Sequence, residues 1–309
     1  MGLRRAIRVL LPALLAVATI LPGSFAAADG PSSAGPIGVP GGLPQRIVSM
    51  TPAITETLFA LGSGPRVVGV STYCDHPPEV TSLPRVGTFL APSIESVIAL
   101  RPDIVITSPT PGNQSPIAAL ERAGIRVTVV TEGSASIADA RLAILETADI
   151  VGRSLEAAAV VASIDGTIEA IRSSVATLER PPVALVVGHN PLVLAGPESY
   201  LGELITVGGG KNIAEALGGK WPRTSLEYLL EAAPEVIIDA SNDDSSRTEA
   251  EALARRWSRY SEIPAVASGR VHGHASYLLM RPGPRMGEAA RTVAGWIHPY
   301  ARDASGATP

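Results

Sequence analysis

The residues here that could do bond-making chemistry mostly stand alone. His272-Gly273-His274 would place two imidazoles on one face of an extended segment, half of a metal site. No carboxylate or cysteine stands near them in sequence, so surface or pocket histidines are the simpler reading. Gly208-Gly209-Gly210-Lys211 is the nearest approach to a phosphate loop, but it lacks the P-loop glycine spacing and a Ser/Thr after the lysine. It also falls where a helix should end, not open. His76 and His189 are isolated, and no Gly-x-Ser-x-Gly elbow presents a nucleophile. Cys74, the only cysteine, cannot form an internal disulfide and reads as a small buried hydrophobe before a reactive thiol. No catalytic residue and no metal ligand is assigned. The aromatic residues point elsewhere. They make up 4% of the chain, yet Tyr73, Phe89, Trp221 and Tyr277 all fall in loops beside strand or helix ends. In doubly wound folds such loops surround ligands, and the chemistry there is stacking and apolar contact. Trp221, between Lys220 and Pro222, reads as a stacking residue in preference to a packing one. Trp257 and Trp296 fall on helices and read as core.

A second signal is a repeat of fifteen residues. Ser93-Ile-Glu95-Ser-Val-Ile-Ala-Leu-Arg-Pro102-Asp103-Ile-Val-Ile-Thr107 is matched, 132 residues on, by Ser225-Leu-Glu227-Tyr-Leu-Leu-Glu-Ala-Ala-Pro234-Glu235-Val-Ile-Ile-Asp239. Each copy reads as a serine-capped helix, a proline break and a strand of β-branched aliphatics covered on both faces. The separation far exceeds the roughly 20–50 residue period of a solenoid. The repeat therefore predicts two similar α/β lobes, each with one glutamate, Glu95 or Glu227, at an equivalent place.

The elements that would position these residues follow from the pattern. Arg46–Ser49 and Val67–Val70 read as strands, with a helix between them that Thr51 caps, Pro52 opens and Gly62 ends. Tyr73 to Pro92 reads as irregular. Ser115–Ala123 reads as a helix and Ile125–Val130 as a strand. Ser136–Glu179 holds no proline across 44 residues and reads as one or two long helices, breaking near Gly152, that could space the lobes rigidly. After it come a strand at Pro182–Val187, a loop over Gly188–Pro197 and a helix over Glu198–Val207. Beyond the second copy lie a helix at Thr248–Ser258, a strand at Arg270–His272 and a helix at Arg285–Ile297. The fold class expected is α/β: two similar lobes with mostly parallel sheets joined by a single long backbone helix.

The ends bound the rest. Arg4, Arg5 and Arg8 precede an apolar run from Val9 to Leu21, followed by small-residue cleavage sites near Ala26–Ala28. Residues 1–28 read as a signal peptide, too short in their apolar part to span a membrane. Without a cysteine near the cleavage site there is no lipid attachment signal. Removing residues 1–28 takes away three arginines and no acid, moving the formal charge from −4 to −7. A mildly acidic chain with no basic run gives no support for nucleic-acid binding. The organisation expected is a signal peptide at 1–28, a flexible leader at 29–44, an N-terminal lobe at 45–135, a linking helix region at 136–180, a C-terminal lobe at 181–299 and a tail at 300–309.

Arg46-Ile-Val-Ser-Met-Thr-Pro-Ala-Ile-Thr-Glu-Thr-Leu-Phe-Ala-Leu-Gly62, Val-Gly-Val-Ser-Thr-Tyr73-Cys-Asp-His-Pro-Pro-Glu79 and Leu83-Pro-Arg-Val-Gly87 together resemble the periplasmic cobalamin-binding proteins of ABC importers. More broadly they look like the helical-backbone (class III) substrate-binding proteins, which serve cobalamin, haem and ferric siderophores. The likeness runs from about Gln45 to Pro299. It implies a periplasmic monomer that carries a corrinoid in a cleft between two lobes, with cobalamin as transported ligand and not as a cofactor. It implies ligand contacts from Tyr73, Phe89, Trp221 and Arg281, with His189-Asn190-Pro191 in a nearby loop. It also implies that Glu95 and Glu227 dock on arginines of a membrane permease; each also lies in the first turn of a helix, where an acid favours the macrodipole. Two alternatives stay open: a haem or ferric-siderophore carrier using Arg281, Arg285 and Arg223, and an exported metal-dependent enzyme using His272 and His274.

Overall fold

The computed structural model describes residues 42–299, apart from 111, 132, 242–248 and 274–276. The signal peptide, most of the leader, the tail and His274 lie outside the described residues.

The first half alternates strictly. β1 (Ile47–Ser49), α1 (Pro52–Ala60), β2 (Val67–Val70), α2 (Ile94–Ala99), β3 (Ile104–Thr107), α3 (Gln114–Arg122) and β4 (Val127–Val129) build a four-stranded sheet in the order β2-β1-β3-β4. Every pairing in it is parallel. β1 and β3 are buried along their whole length, as unbroken aliphatic runs in a sheet covered on both faces must be. Each such side chain contributes about 1.5–3 kcal/mol of burial.

The proline-free stretch is two helices, α4 (Ile137–Val151) and α5 (Ser154–Val175). Gly152 separates them with φ 69° and ψ 42°, the left-handed end that glycine tolerates. α4 packs on α1 and α5, while α5 packs on α6 (Tyr200–Val207) and α10 (Met286–Ile297) of the second half. The 22 residues of α5 span about 33 Å at 1.5 Å per residue, and this helix is the backbone element.

The second half holds β5 (Pro182–His189), β6 (Leu192–Leu194), β7 (Lys211–Asn212), β8 (Arg223–Thr224), α7 (Leu226–Ala232), β9 (Val236–Asp239), α8 (Glu249–Trp257), α9 (Pro264–Ala267) and β10 (Val271–Gly273). Its sheet runs β10-β9-β5-β6-β8, with β7 beside β5. β10, β9, β5 and β7 pair in parallel, whereas β6 pairs antiparallel with both β5 and β8. The loop expected over Gly188–Pro197 is thus partly a hairpin. Its turn signals, Gly188, Asn190-Pro191 and Gly196-Pro197, conceal a strand of only three residues.

The repeat survives in atomic detail. Ser93 accepts a bond from Ser96 N at 3.2 Å and Ser225 one from Tyr228 N at 3.4 Å, so both serines cap their helices. Arg101 (φ 45°) and Ala233 (φ 44°) then stop the helices in the left-handed region, and they are the only non-glycine residues with positive φ among those described. Each precedes a proline, which disfavours continuing the right-handed helix at that point. The β3 and β9 runs that follow are fully buried.

Candidate ligand cleft

A cavity of ≈ 550 Å³ opens where the strands of the first sheet end. After β1 come Thr51, Pro52 and Ala53; after β2, Thr72, Tyr73 and Asp75; after β3, Ser108 and Thr110; after β4, Thr131, Gly133 and Ser134. Ala143, Ile144 and Thr147 of α4 form another wall. The second half closes it with Tyr277, Met280, Arg281 and Pro282, which follow β10. This is where a doubly wound sheet binds ligands, beyond the carboxyl ends of its strands.

Tyr73 and Phe89 both line the cavity, with ring centroids 5.6 Å apart in a tilted pair. Gly87 makes the turn that carries Phe89: its φ is 90°, and a Cβ there would stand 2.6 Å from Ala91 O. Thr51 Oγ1 is buried beside the cavity with no hydrogen-bond partner among the described residues. Thr51 does sit at the N-cap position of α1, but its side chain makes no capping bond.

Arg281 lines the cavity while its guanidinium is already engaged. It donates to both carboxylate oxygens of Asp75, to Glu56 Oε1 at 3.3 Å and to Tyr73 O at 3.1 Å. Arg285 donates twice to Glu56, from Nε and Nη2, each at 2.8 Å. Burial works against the Arg281 cation, but Asp75 and Glu56 outweigh it and raise its pKa. In return, the hydrogen bonds from Arg281 hold the Asp75 carboxyl below its usual range. The network ties the loop after β10 to α1 and the loop after β2. Glu203 Oε2 accepts from Ile137 N at 2.8 Å, and Tyr200 N donates to Ser134 O at 3.0 Å, joining the halves again.

Trp221 does not line this cavity and is 38% exposed. Its neighbour Lys220 reaches the rim, donating to Ser134 Oγ at 2.6 Å. The loop is held close because Gly196 lacks a side chain: a Cβ there would lie 2.1 Å from Gly219 O. Arg223 is exposed on β8, outside the cavity. His189 faces away, with Nε2 3.0 Å from Asp239 Oδ2 and its ring edge-on to buried Trp257. His272 stacks on Trp296 at 5.5 Å, and burial lowers its pKa. Among the described residues no three His, Cys, Asp or Glu side chains are grouped to hold a metal ion. Cys74 is buried between Thr55 and Ser71, and burial raises its thiol pKa. Glu95 and Glu227 are both exposed and lie away from the cavity.

The structure therefore brings Tyr73, Phe89 and Arg281 together and leaves Trp221 one residue beyond the rim. Sequence reasoning missed the hydroxyl set and the Asp75–Glu56 partners of Arg281. Position after an aliphatic strand is the signal that could have found Ser108 and Thr131.

Comparison with known proteins agrees with this geometry. The periplasmic binding protein family profile matches residues 47–277. The chain belongs to the periplasmic binding protein family. This binding protein is 30% identical over 262 residues to the ABC transporter substrate-binding lipoprotein YvrC of Bacillus subtilis, covering 83% of this chain and 81% of that one. It is 30% identical over 222 residues to a vitamin B12-binding protein of Salmonella paratyphi A, covering 72% and 80%. Among solved structures it resembles the periplasmic haem-binding protein RhuT of Roseiflexus in apo form, with TM-score 0.72 and 26% identity over 84% of this chain and all of that one. No helix among the described residues is long and apolar enough to cross a membrane.

Proposed function

We propose that this binding protein carries cobalamin or a related corrinoid to the membrane permease of an ABC importer. The observation that carries the reading is the charge state of the cleft. Arg281 is the only cation among the described lining residues and Asp75 the only acid, and they satisfy each other. The other polar lining groups are neutral hydroxyls. A corrinoid surrounds its ring with uncharged amides, which hydroxyls and a paired carboxylate can meet. Haem carries two propionates and ferric siderophores are commonly anionic; both need a cation turned into the cleft, whereas Arg281 and Arg285 are held by carboxylates and Lys220, at the rim, donates to Ser134. The vitamin B12-binding relative supports the same choice.

In this reading Tyr73 and Phe89 support one face of the corrinoid, Trp221 closes over its edge, and Arg281 acts by fixing Asp75 and the backbone of Tyr73. Glu95 and Glu227 dock the loaded carrier on permease arginines. The chain works without catalysis or a resident cofactor, as a monomer in the periplasm, after a signal peptide at residues 1–28 is cleaved. The lobes are residues 45–135 and 181–299, joined by the region 136–180.

A haem carrier is the second reading. It is favoured by the haem-binding structural relative and by two exposed phenols at the cleft, Tyr73 and Tyr277, a side-chain type able to ligate haem iron. Calorimetric titration of the mature chain with cyanocobalamin, haemin and a ferric siderophore separates the two. The expected result is one equivalent of cyanocobalamin bound unchanged. Saturable haemin or siderophore binding with no response to cyanocobalamin overturns the reading.

A further inference from the structure

The repeat holds more than its glutamates. One helical turn after each, Ile98 in α2 and Leu230 in α7 stand at equivalent positions of the two copies, and both are exposed, at 47% and 41%. Side chains three apart on a helix are neighbours, so each aliphatic group flanks its glutamate. The residues just before them, Val97 and Leu229, are fully buried, which fixes the rotation of both helices. The frames agree as well, from the capping serines to the left-handed stops at Arg101 and Ala233. One exposed aliphatic residue on a surface needs no explanation. An exposed aliphatic residue at the same position beside the same acid, in two copies that have otherwise diverged, does. Neither side chain lines the cleft.

We propose that Ile98 and Leu230 are the apolar anchors of two matched docking pads, and that the occupant is the permease that receives the ligand. This rests on the glutamate-docking reading. A carrier with the same pad on each lobe fits a partner with two like surfaces, as a membrane protein built on a two-fold axis provides. Each surface would offer a guanidinium beside an apolar depression. The division of labour is physical. Exposed carboxylates set register and encounter rate but are screened by salt and add little affinity. Apolar side chains that lose their water on contact add a burial term that salt does not screen.

The test is photo-crosslinking in the source cells, with a benzophenone amino acid placed at 98 or 230, at 95 or 227 for comparison, and at Leu155, the most exposed large hydrophobic residue among those described, as control. Positions 98 and 230 should capture the same polytopic membrane protein, identified by mass spectrometry, and position 155 should not. Combining Ile98→Ser with Leu230→Ser should lower capture from position 95 by about tenfold. The melting temperature and the cyanocobalamin titration of that purified variant should not move. Capture at 95 and 227 but not at 98 and 230, or undiminished capture in the double variant, overturns the anchors and leaves the glutamate reading standing. No capture from any of the four positions overturns both. Equal capture from 155, or a lowered melting temperature, assigns these residues to unspecific surface or to the fold and also overturns the inference.

Discussion

Arg281 shows how a residue changes meaning once its neighbours are known. In sequence it is a cation near an expected ligand; in the fold it is bound by Asp75 and Glu56, 206 and 225 positions away. No local pattern could have revealed partners that distant. Tyr73 and Phe89 were legible because loop aromatics are scarce in this chain, whereas the threonines around them are of a type common on any surface. Two predictions belong at this scale. Tyr73→Ala and Phe89→Ala should each weaken cyanocobalamin binding by roughly 5- to 150-fold, the equivalent of about 1–3 kcal/mol of lost aromatic contact, read by calorimetry with the melting temperature as control. The second concerns acid. Asp75 is held below its usual pKa by Arg281, and Asp239 is held low, against its burial, by bonds from His189, Ser241 and Trp257. A depressed carboxyl contributes stability that is present above its unfolded pKa of about 3.9 and is lost as pH falls toward the folded value. The melting temperature should fall below about pH 5, and less steeply in Asp75→Asn, in thermal scans across buffers.

At the scale of elements, strands of three consecutive β-branched aliphatics and serine-capped helices were readable from sequence, because one local rule decides each. Ile104-Val105-Ile106 and Val236-Ile237-Ile238 are buried as their pattern requires. β6 and β8 were not readable: they are three and two residues long and exist through pairing with β5 and with each other. That antiparallel edge carries the Trp221 loop, and Gly196 lets the loop approach. Gly196→Ala should force Gly219 away and cost about 1–3 kcal/mol in urea unfolding, as overpacking does. If Trp221 covers the ligand, cyanocobalamin affinity should fall in the same variant. A variant as stable as the parent would show that the loop is not held by this contact.

Across the described residues, the halves are joined by α5 and by hydrogen bonds beside the cleft, from Arg281 and Arg285 to Glu56 and Asp75 and from Tyr200 to Ser134. A continuous helix bends only where its hydrogen-bond ladder is interrupted. The radius of gyration from solution scattering should therefore change little when cyanocobalamin is added. A large compaction would mark Gly152 or Gly166 as a working hinge. The two-lobe plan itself was visible in the fifteen-residue repeat; the contacts that hold the lobes together are non-local and were not. The central claim is that the neutral, hydroxyl-walled cleft receives a corrinoid, and the most direct measurement is anomalous diffraction at the cobalt edge from crystals grown with cyanocobalamin. The account predicts one cobalt peak in the cavity bounded by Tyr73, Phe89 and Arg281, with Trp221 against the ligand edge. A cleft without cobalt, or cobalt bound only elsewhere on the surface, would contradict it.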